Sequence, residues 1–168
     1  MADRCESAEL TAIGIRGGAS VKGESPLGER MRESFTGGDL FGIFRLPLNW
    51  YSASGWGAGT RLMSSVGLLS EQEKVALVTS LVPMVSLGRE DDRFSVNVGI
   101  GGALISAHRF GRHDLGGPFQ FVGTAGVSIE LARPWNLGYR FQHYSDGTVY
   151  GNGTRGVDLH MIELIYRY

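Results

Sequence analysis

The sequence predicts an all-β fold: one domain over residues 1–168 that forms an eight-stranded antiparallel up-and-down transmembrane β-barrel. Apolar residues recur with a period of two rather than 3.6, so no convincing helix can be drawn. Turn residues divide the chain into segments of about ten or more residues, long enough for a tilted strand to cross a bilayer. Glycine contributes 26 of the 168 residues, roughly twice the usual share. Such an excess suits a narrow barrel, which has little room for inward side chains.

The predicted strands are joined by connections that alternate in length. The strands are residues 9–20, 38–51, 55–67, 73–87, 93–106, 118–132, 135–147 and 156–168. Connections after the second, fourth and sixth strands are short, and those after the first, fifth and seventh are long. The connection after the third strand, around Leu68 to Gln72, is of intermediate length. Bacterial outer-membrane barrels have short periplasmic turns and long external loops, so the alternation places both termini on the periplasmic side.

The strands each have one apolar face and one face of small and charged residues. The apolar faces carry Leu40, Phe44, Leu46, Leu48 and Trp50 in the second strand, Phe94, Val96, Val98, Ile100 and Leu104 in the fifth, and Phe119, Phe121, Ala125, Val127, Ile129 and Leu131 in the sixth. In a membrane barrel the apolar face points outward to lipid. We therefore expect a buried ion-pair network among the inward charges, which include Arg45, Glu130, Arg140 and Glu163. The alternative is a soluble lipocalin-like barrel with the two faces reversed.

Composition excludes several classes of partner and site. The formal net charge is −1, whereas a nucleic-acid-binding surface favours a strong excess of basic residues. With one cysteine, the chain cannot build an internal disulfide framework or a cysteine-based zinc cluster. We predict no cofactor, no metal and no nucleic-acid partner.

Two polar residues interrupt the apolar row of the seventh strand near its external end. His143 and Ser145 share that row, with Cα atoms about 6–7 Å apart, so a hydrogen bond between them is feasible. Polar side chains facing lipid are costly unless they have a function. Asp158 lies on the corresponding row of the eighth strand, and a register that sets it opposite His143 would bring the Cβ atoms to about 4.5–5.5 Å. A nucleophilic serine needs a base and a group that orients the base, so the three residues are a candidate surface triad.

The long connection after the fifth strand carries a cluster of charged and imidazole side chains. These are His108, Arg109, Arg112, His113 and Asp114. A metal site formed by the two histidines is conceivable. We prefer contact between the arginines and anionic lipid phosphates, and the remaining alternative is a solvated loop.

The sequence around the candidate triad resembles a known family. The stretch from Phe94-Ser95-Val96-Asn97-Val98-Gly99-Ile100-Gly101 through His143-Tyr144-Ser145-Asp146-Gly147 is similar to the lipid A 3-O-deacylases of the PagL type, and the close resemblance covers roughly residues 93–168. Members of that family are eight-stranded outer-membrane barrels that hydrolyse the ester-linked acyl chain at the 3-position of lipid A. The resemblance assigns His143 as the general base, Ser145 as the nucleophile and Asp158 to the acidic position.

The chain departs from the family pattern at two places. The family has glutamate at the acidic position, so Asp158 shortens the reach by one methylene, and the interval from Ser145 is one residue longer. The family has Asn-Ala-Gly after the serine, where its oxyanion hole is thought to lie, whereas this chain has Asp146-Gly147. We expect backbone N–H groups near Asp146 and Gly147 to serve instead, with Asn152 as a substitute side-chain donor.

The resemblance implies a serine esterase of the bacterial outer membrane that acts on lipopolysaccharide without a cofactor. Tyr139 and Phe141 would bind the acyl chain, while Arg109 and Arg112 would contact the substrate's phosphates. The expected partners are lipid A and outer-membrane lipids, and a homodimer is possible. The alternative function is a non-enzymatic outer-membrane barrel of the structural or adhesin type.

Overall fold

The computed structural model describes residues 8–21, 23–24, 30–31, 34–151 and 155–168. Its long strands are β1 (Glu9–Ala19), β4 (Phe35–Tyr51), β5 (Trp56–Glu71), β6 (Lys74–Arg89), β7 (Phe94–Ile105), β10 (Phe119–Ala132), β11 (Trp135–Ser145) and β12 (Val157–Arg167). Two short hairpins pair β2 (Gly23–Glu24) with β3 (Arg30–Met31) and β8 (Arg109–Phe110) with β9 (His113–Asp114). The long strands form one closed antiparallel barrel in the order β1-β12-β11-β10-β7-β6-β5-β4, which confirms the predicted fold class.

The connection after the third barrel strand differs from the prediction. Strand β5 continues to Glu71, which pairs with Lys74 at the start of β6. The connection is therefore a two-residue turn, with Gln72 at a positive φ of 51°. The prediction that this connection is of intermediate length was wrong. Leu68 belongs to the strand because it still pairs with a residue on each side, Gly38 and Leu77. Among the described residues, no helix could serve as a membrane span.

The outward face of the barrel is apolar and the interior is polar. Leu40, Ile100 and Leu131 are 60%, 74% and 58% exposed, whereas Arg140 and Glu163 are each 1% exposed. A barrel folded in water would show the opposite arrangement, because strands bury their apolar face. The alternation therefore agrees with the membrane-barrel interpretation and contradicts the soluble alternative.

A network of ion pairs fills the middle of the barrel. Arg140 Nε lies 2.5 Å from Glu163 Oε1, and Arg16 Nη1 lies 3.5 Å from the same carboxylate oxygen. Arg16 Nε also lies 2.8 Å from Asp39 Oδ1. The network expected for Arg140 and Glu163 is thus present. Its opposite charges compensate one another in an interior that otherwise offers little solvation.

Two of the expected members lie outside this network. Glu130 is 3.7 Å from Arg93 and 3.4 Å from Arg133, and its side chain is 26% exposed. The side chain of Arg45 is 38% exposed, and its nearest acidic partner is Asp92 at 4.0 Å. The prediction was wrong for these two residues because strand parity gives the facing of a side chain but not its depth along the barrel.

Breaking the central network is expected to destabilise the barrel strongly. Glu163→Gln removes the carboxylate that faces two buried guanidinium groups, and an uncompensated buried charge costs about 3–5 kcal/mol. We expect the free energy of unfolding, measured by urea titration in lipid vesicles, to fall by about that amount. Glu90→Gln, in an exposed turn, is the control and should change it by about 0.5 kcal/mol or less. Equal unfolding curves for the two variants would refute the structural role of the network.

The β8–β9 hairpin packs against the barrel at the end where β4 begins. Phe110 and Leu115 have no exposed surface, and the ring of Phe35 packs edge-on against Phe110 and His113 at centroid distances of 5.3 and 4.9 Å. The Gln120 side-chain amide donates to the carbonyls of Leu115 and Gly117 at 2.8 and 2.9 Å. This connection is therefore packed at Phe110, His113 and Leu115 and exposed at its arginines, and it lies beside the ends of β11 and β12.

Candidate active site

Strands β11 and β12 bring a histidine and a carboxylate together on the outer surface. His143 and Asp158 are direct partners in the antiparallel register. His143 Nδ1 lies 2.5 Å from Asp158 Oδ1, and the Asp158 side chain is only 5% exposed. A hydrogen bond from Nδ1–H to the carboxylate fixes the tautomer and leaves Nε2 as a proton acceptor. The pair therefore has the chemistry of an oriented general base.

Ser145 lies on the same row of β11, two residues beyond His143. Its Oγ accepts a hydrogen bond of 3.1 Å from the backbone N–H of Gly147. Within the described part of the chain, no hydrogen bond joins Ser145 to His143, although their spacing makes one feasible. This arrangement arises because the backbone turns sharply at Gly147, where φ is 59°, and brings this N–H onto the hydroxyl. Hydrogen bonds between catalytic groups often form only when substrate binds, so Ser145 and His143 remain candidates.

Asp146 stabilises the turn that follows Ser145. Its carboxylate accepts the backbone N–H groups of Thr148 and Tyr150 at 3.0 and 3.2 Å, and the residue is 5% exposed. Both carboxylate oxygens accept hydrogen bonds from the turn, and the side chain lies on the inward face of the strand. The negative charge is therefore held away from the outward face, where Ser145 lies. The backbone N–H of Gly147 points to the outward face, toward Ser145 Oγ. Asn152, the expected substitute donor, lies outside the described residues.

The β8–β9 hairpin holds the loop that links Ser145 to Asp158. The N–H of Arg155 donates to the carbonyl of Asp114 at 3.0 Å, and His113 Nε2 lies 3.1 Å from the carbonyl oxygen of Arg155. On the other side of the loop, the Tyr150 ring packs so closely over Gly117 that a Cβ there would lie 2.4 Å from ring atoms. His113 therefore supports the candidate site, a role that sequence reasoning missed because it depends on contacts between distant loops.

The arginines of the hairpin are exposed at the external end. Arg109 Nε lies 2.9 Å from Asp114 Oδ2, with its side chain 73% exposed, and Arg112 is exposed at the hairpin turn. The backbone N–H of Gly116 and the Arg109 guanidinium hold the pKa of the Asp114 carboxyl below its usual value. Within the described ranges, no group of three or more His, Cys, Asp or Glu side chains is arranged to bind a metal ion.

Tyr139 and Phe141 continue the outward row of β11 away from the loop. The Tyr139 hydroxyl lies 2.6 Å from His160 Nδ1, and the ring of Phe141 lies 5.4 Å from that imidazole. His160 is the partner of Phe141 in the β11–β12 register. On the β12 side, the surface next to His143 is therefore occupied by a hydrogen-bonded polar pair.

Comparison with known proteins identifies one family that the sequence matches and two solved structures with a similar fold. The family model described as lipid A 3-O-deacylase (PagL) matches residues 40–167. The crystal structure of the outer membrane enzyme PagL is similar with a TM-score of 0.71 at 16% sequence identity, covering 94% of this chain and 99% of that chain. The backbone structure of the Yersinia pestis outer membrane protein Ail in a phospholipid bilayer nanodisc gives a TM-score of 0.51 at 12% identity, covering 95% and 100%.

The family match and the structural matches support different conclusions. No curated protein sequence matches the chain significantly, and at such low identities the two solved structures show the fold alone. The family match, by contrast, extends over most of the chain and includes every strand from β5 to β12. The chain therefore belongs to the lipid A 3-O-deacylase (PagL) family.

Proposed function

We propose that the protein is a serine esterase of the bacterial outer membrane that hydrolyses the 3-O-linked acyl chain of lipid A. The observation that carries the proposal is the His143–Asp158 pair on the lipid-facing surface, with Ser145 next to it. A site on the outside of a barrel can reach an ester of a lipid that stays in the bilayer. Family membership supports the same reaction.

The proposed reaction is a two-step acyl transfer. Ser145 turns from Gly147 to His143, whose Nε2 takes the hydroxyl proton as Oγ attacks the ester carbonyl. Asp158 remains ionised and stabilises the imidazolium. The tetrahedral intermediate collapses with transfer of that proton to the departing sugar oxygen. A water molecule, deprotonated by His143, then attacks the acyl-enzyme. The bond between the acyl carbon and Ser145 Oγ breaks, the proton returns from His143 to Oγ, and the fatty acid leaves.

Backbone and loop groups complete the proposed site. In the free protein the backbone N–H of Gly147 donates a hydrogen bond to Ser145 Oγ. Once the serine turns away, this N–H would become available to the oxyanion. Asn152 is a further proposed donor. Tyr139 and Phe141 are proposed to contact the lipid, and the exposed Arg109 and Arg112 to contact phosphate groups of lipid A.

The proposal is tested by incubating the folded protein with purified lipid A in detergent micelles. We expect mass spectrometry to show the loss of one acyl chain, and fragmentation to locate the loss at the 3-position. Heat-unfolded protein is the control. Lipid A of unchanged mass after incubation with the folded barrel would contradict the proposal and favour a structural or adhesin role.

A further inference from the structure

Three arginines converge on one carboxylate at the end of the barrel opposite the candidate active site, where β1 begins and β12 ends. Arg167 Nη1 lies 3.0 Å from Asp92 Oδ2, and Arg45 Nη2 lies 4.0 Å from the same oxygen. Arg61 Nη2 lies 3.7 Å from the other carboxylate oxygen, Oδ1. The arginine cluster (Arg45, Arg61 and Arg167) thus brings three positive charges to a single negative one at neutral pH, which leaves an excess of two positive charges.

The single carboxylate leaves hydrogen-bond donors of the arginine cluster unpaired. The Nε atoms of Arg45 and Arg167 are buried and have no hydrogen-bond partner among the described residues. Arg61 Nη1 donates to the side-chain oxygen of Asn49 at 3.0 Å, whereas the Asp92 carboxylate lies 3.7 Å away. Folded proteins pair the great majority of their buried donors, so the exceptions need an explanation. Two such donors, on arginines that already outnumber the available negative charge, indicate a place for a further anion.

The strands around the arginine cluster are shaped to hold it. The β4–β5 register changes from Arg45 opposite Arg61 to Asn49 opposite Gly59, so residues 46–48 of β4 lie opposite one residue of β5. Such a bulge bends a strand and redirects its side chains. Gly59 leaves room for the Arg61 guanidinium, because a Cβ there would lie 2.8 Å from Arg61 Nη1. Arg61 is therefore fixed, with its side chain 3% exposed, while the side chain of Arg45 is 38% exposed and accessible to a ligand.

Holding the β6–β7 turn in place does not account for three arginines. The side-chain amide of Asn136 already donates to the Asp92 carbonyl at 2.9 Å. Arg45 and Arg61 are direct partners in the sheet register, and like charges set opposite each other destabilise a sheet. Glu9, the partner of Arg45 on the β1 side, is exposed, and within the described residues no ion pair joins the two. A second anion would offset the repulsion that the arginines leave uncompensated.

We propose that the arginine cluster binds a phosphate group at this end of the barrel, the end that the sequence predicts to be periplasmic. Guanidinium groups pair with phosphate oxygens through two parallel hydrogen bonds. A tetrahedral phosphate presents oxygens in several directions, which suits arginines that approach from three strands. A phosphate monoanion would lower the excess of positive charge from two to one. A phospholipid headgroup and free phosphate both carry this group, and the inference is independent of the proposed esterase reaction.

The test uses isothermal titration calorimetry on the barrel folded in dodecyl maltoside micelles, which contain no phosphate. One titrant is inorganic phosphate at constant ionic strength. The other is phosphatidylglycerol, with diacylglycerol as the matching lipid that lacks the phosphate. Saturable binding of inorganic phosphate supports a site for the free anion, and saturable binding of phosphatidylglycerol alone, with none of diacylglycerol, supports a site for a headgroup. If the parent protein binds neither phosphate compound, or binds both lipids equally and no inorganic phosphate, the proposal is overturned.

Two variants assign the binding to the arginine cluster. Arg45→Gln should weaken it by about tenfold or more, the loss expected when a charged hydrogen-bonding group is removed. Arg93→Gln is the matched control, because it removes the same charge from a side chain at the same end of the barrel that is 53% exposed, and it should bind like the parent. Should Arg45→Gln fail to fold, Arg45→Lys keeps the charge but cannot form the paired hydrogen bonds, so it should also bind more weakly than the parent. Equal affinities of the Arg45 variant and Arg93→Gln would refute the site.

Discussion

Ser145→Ala is expected to abolish deacylation, with kcat lower by a factor of about 10⁶, the loss seen when a serine nucleophile of a triad is removed. The physical reason is that alanine has no oxygen to form the acyl-enzyme, while the His143–Asp158 pair stays in place. Loss of one acyl chain from lipid A, followed by mass spectrometry over time, measures the effect.

The control for this variant is Ser64→Ala, which removes a hydroxyl from another outward position on β5. It should react like the parent protein. Both variants should fold equally well, since Ser145 Oγ has a single hydrogen bond among the described residues, from the exposed backbone N–H of Gly147. Deacylation by Ser145→Ala at the parent rate would exclude the serine as nucleophile.

Asp158→Asn is expected to have the second largest effect and to lower kcat by a factor of about 10⁴. The amide keeps the size of the side chain but removes the charge that faces His143 Nδ1 at 2.5 Å, so it no longer fixes the productive tautomer or stabilises the imidazolium. KM should change little because Asp158 is buried behind the imidazole and is not positioned to contact substrate.

Asp158→Glu separates loss of charge from loss of packing. This variant keeps the carboxylate and restores the residue that the family carries at the matching position, so its kcat should lie well above that of Asp158→Asn. A larger loss for glutamate than for asparagine, or an effect on KM alone, would contradict the assigned role. Steady-state kinetics of both variants on lipid A provide the comparison.

The sequence pattern was sufficient to predict the barrel and two of its side-chain pairs. A period of two determines which residues share a face, and antiparallel pairing of consecutive strands limits the register, so His143 could be set opposite Asp158 before the structure was known. The apolar outward face and the Arg140–Glu163 pair followed from the same alternation.

The remaining features depend on contacts that no periodic pattern encodes. Ser145 bonds to Gly147 because of the φ values of a particular turn. His113 reaches Arg155 through the folding of one loop onto another. The depth of Glu130 along the barrel, which separates it from the central network, depends on strand tilt and length rather than on parity. These are properties of loops and of the closed barrel as a whole.

Covalent labelling of the folded barrel tests the central claim most directly, namely that the outward-facing serine beside the His143–Asp158 pair is a nucleophile. The reagent is a fluorophosphonate with a long alkyl chain, and peptide mass spectrometry locates the adduct. We predict one adduct on Ser145, slowed by added lipid A, strongly reduced in Asp158→Asn and absent in Ser145→Ala. An unlabelled folded protein, or an adduct on another residue that forms equally well in Ser145→Ala, would contradict the account.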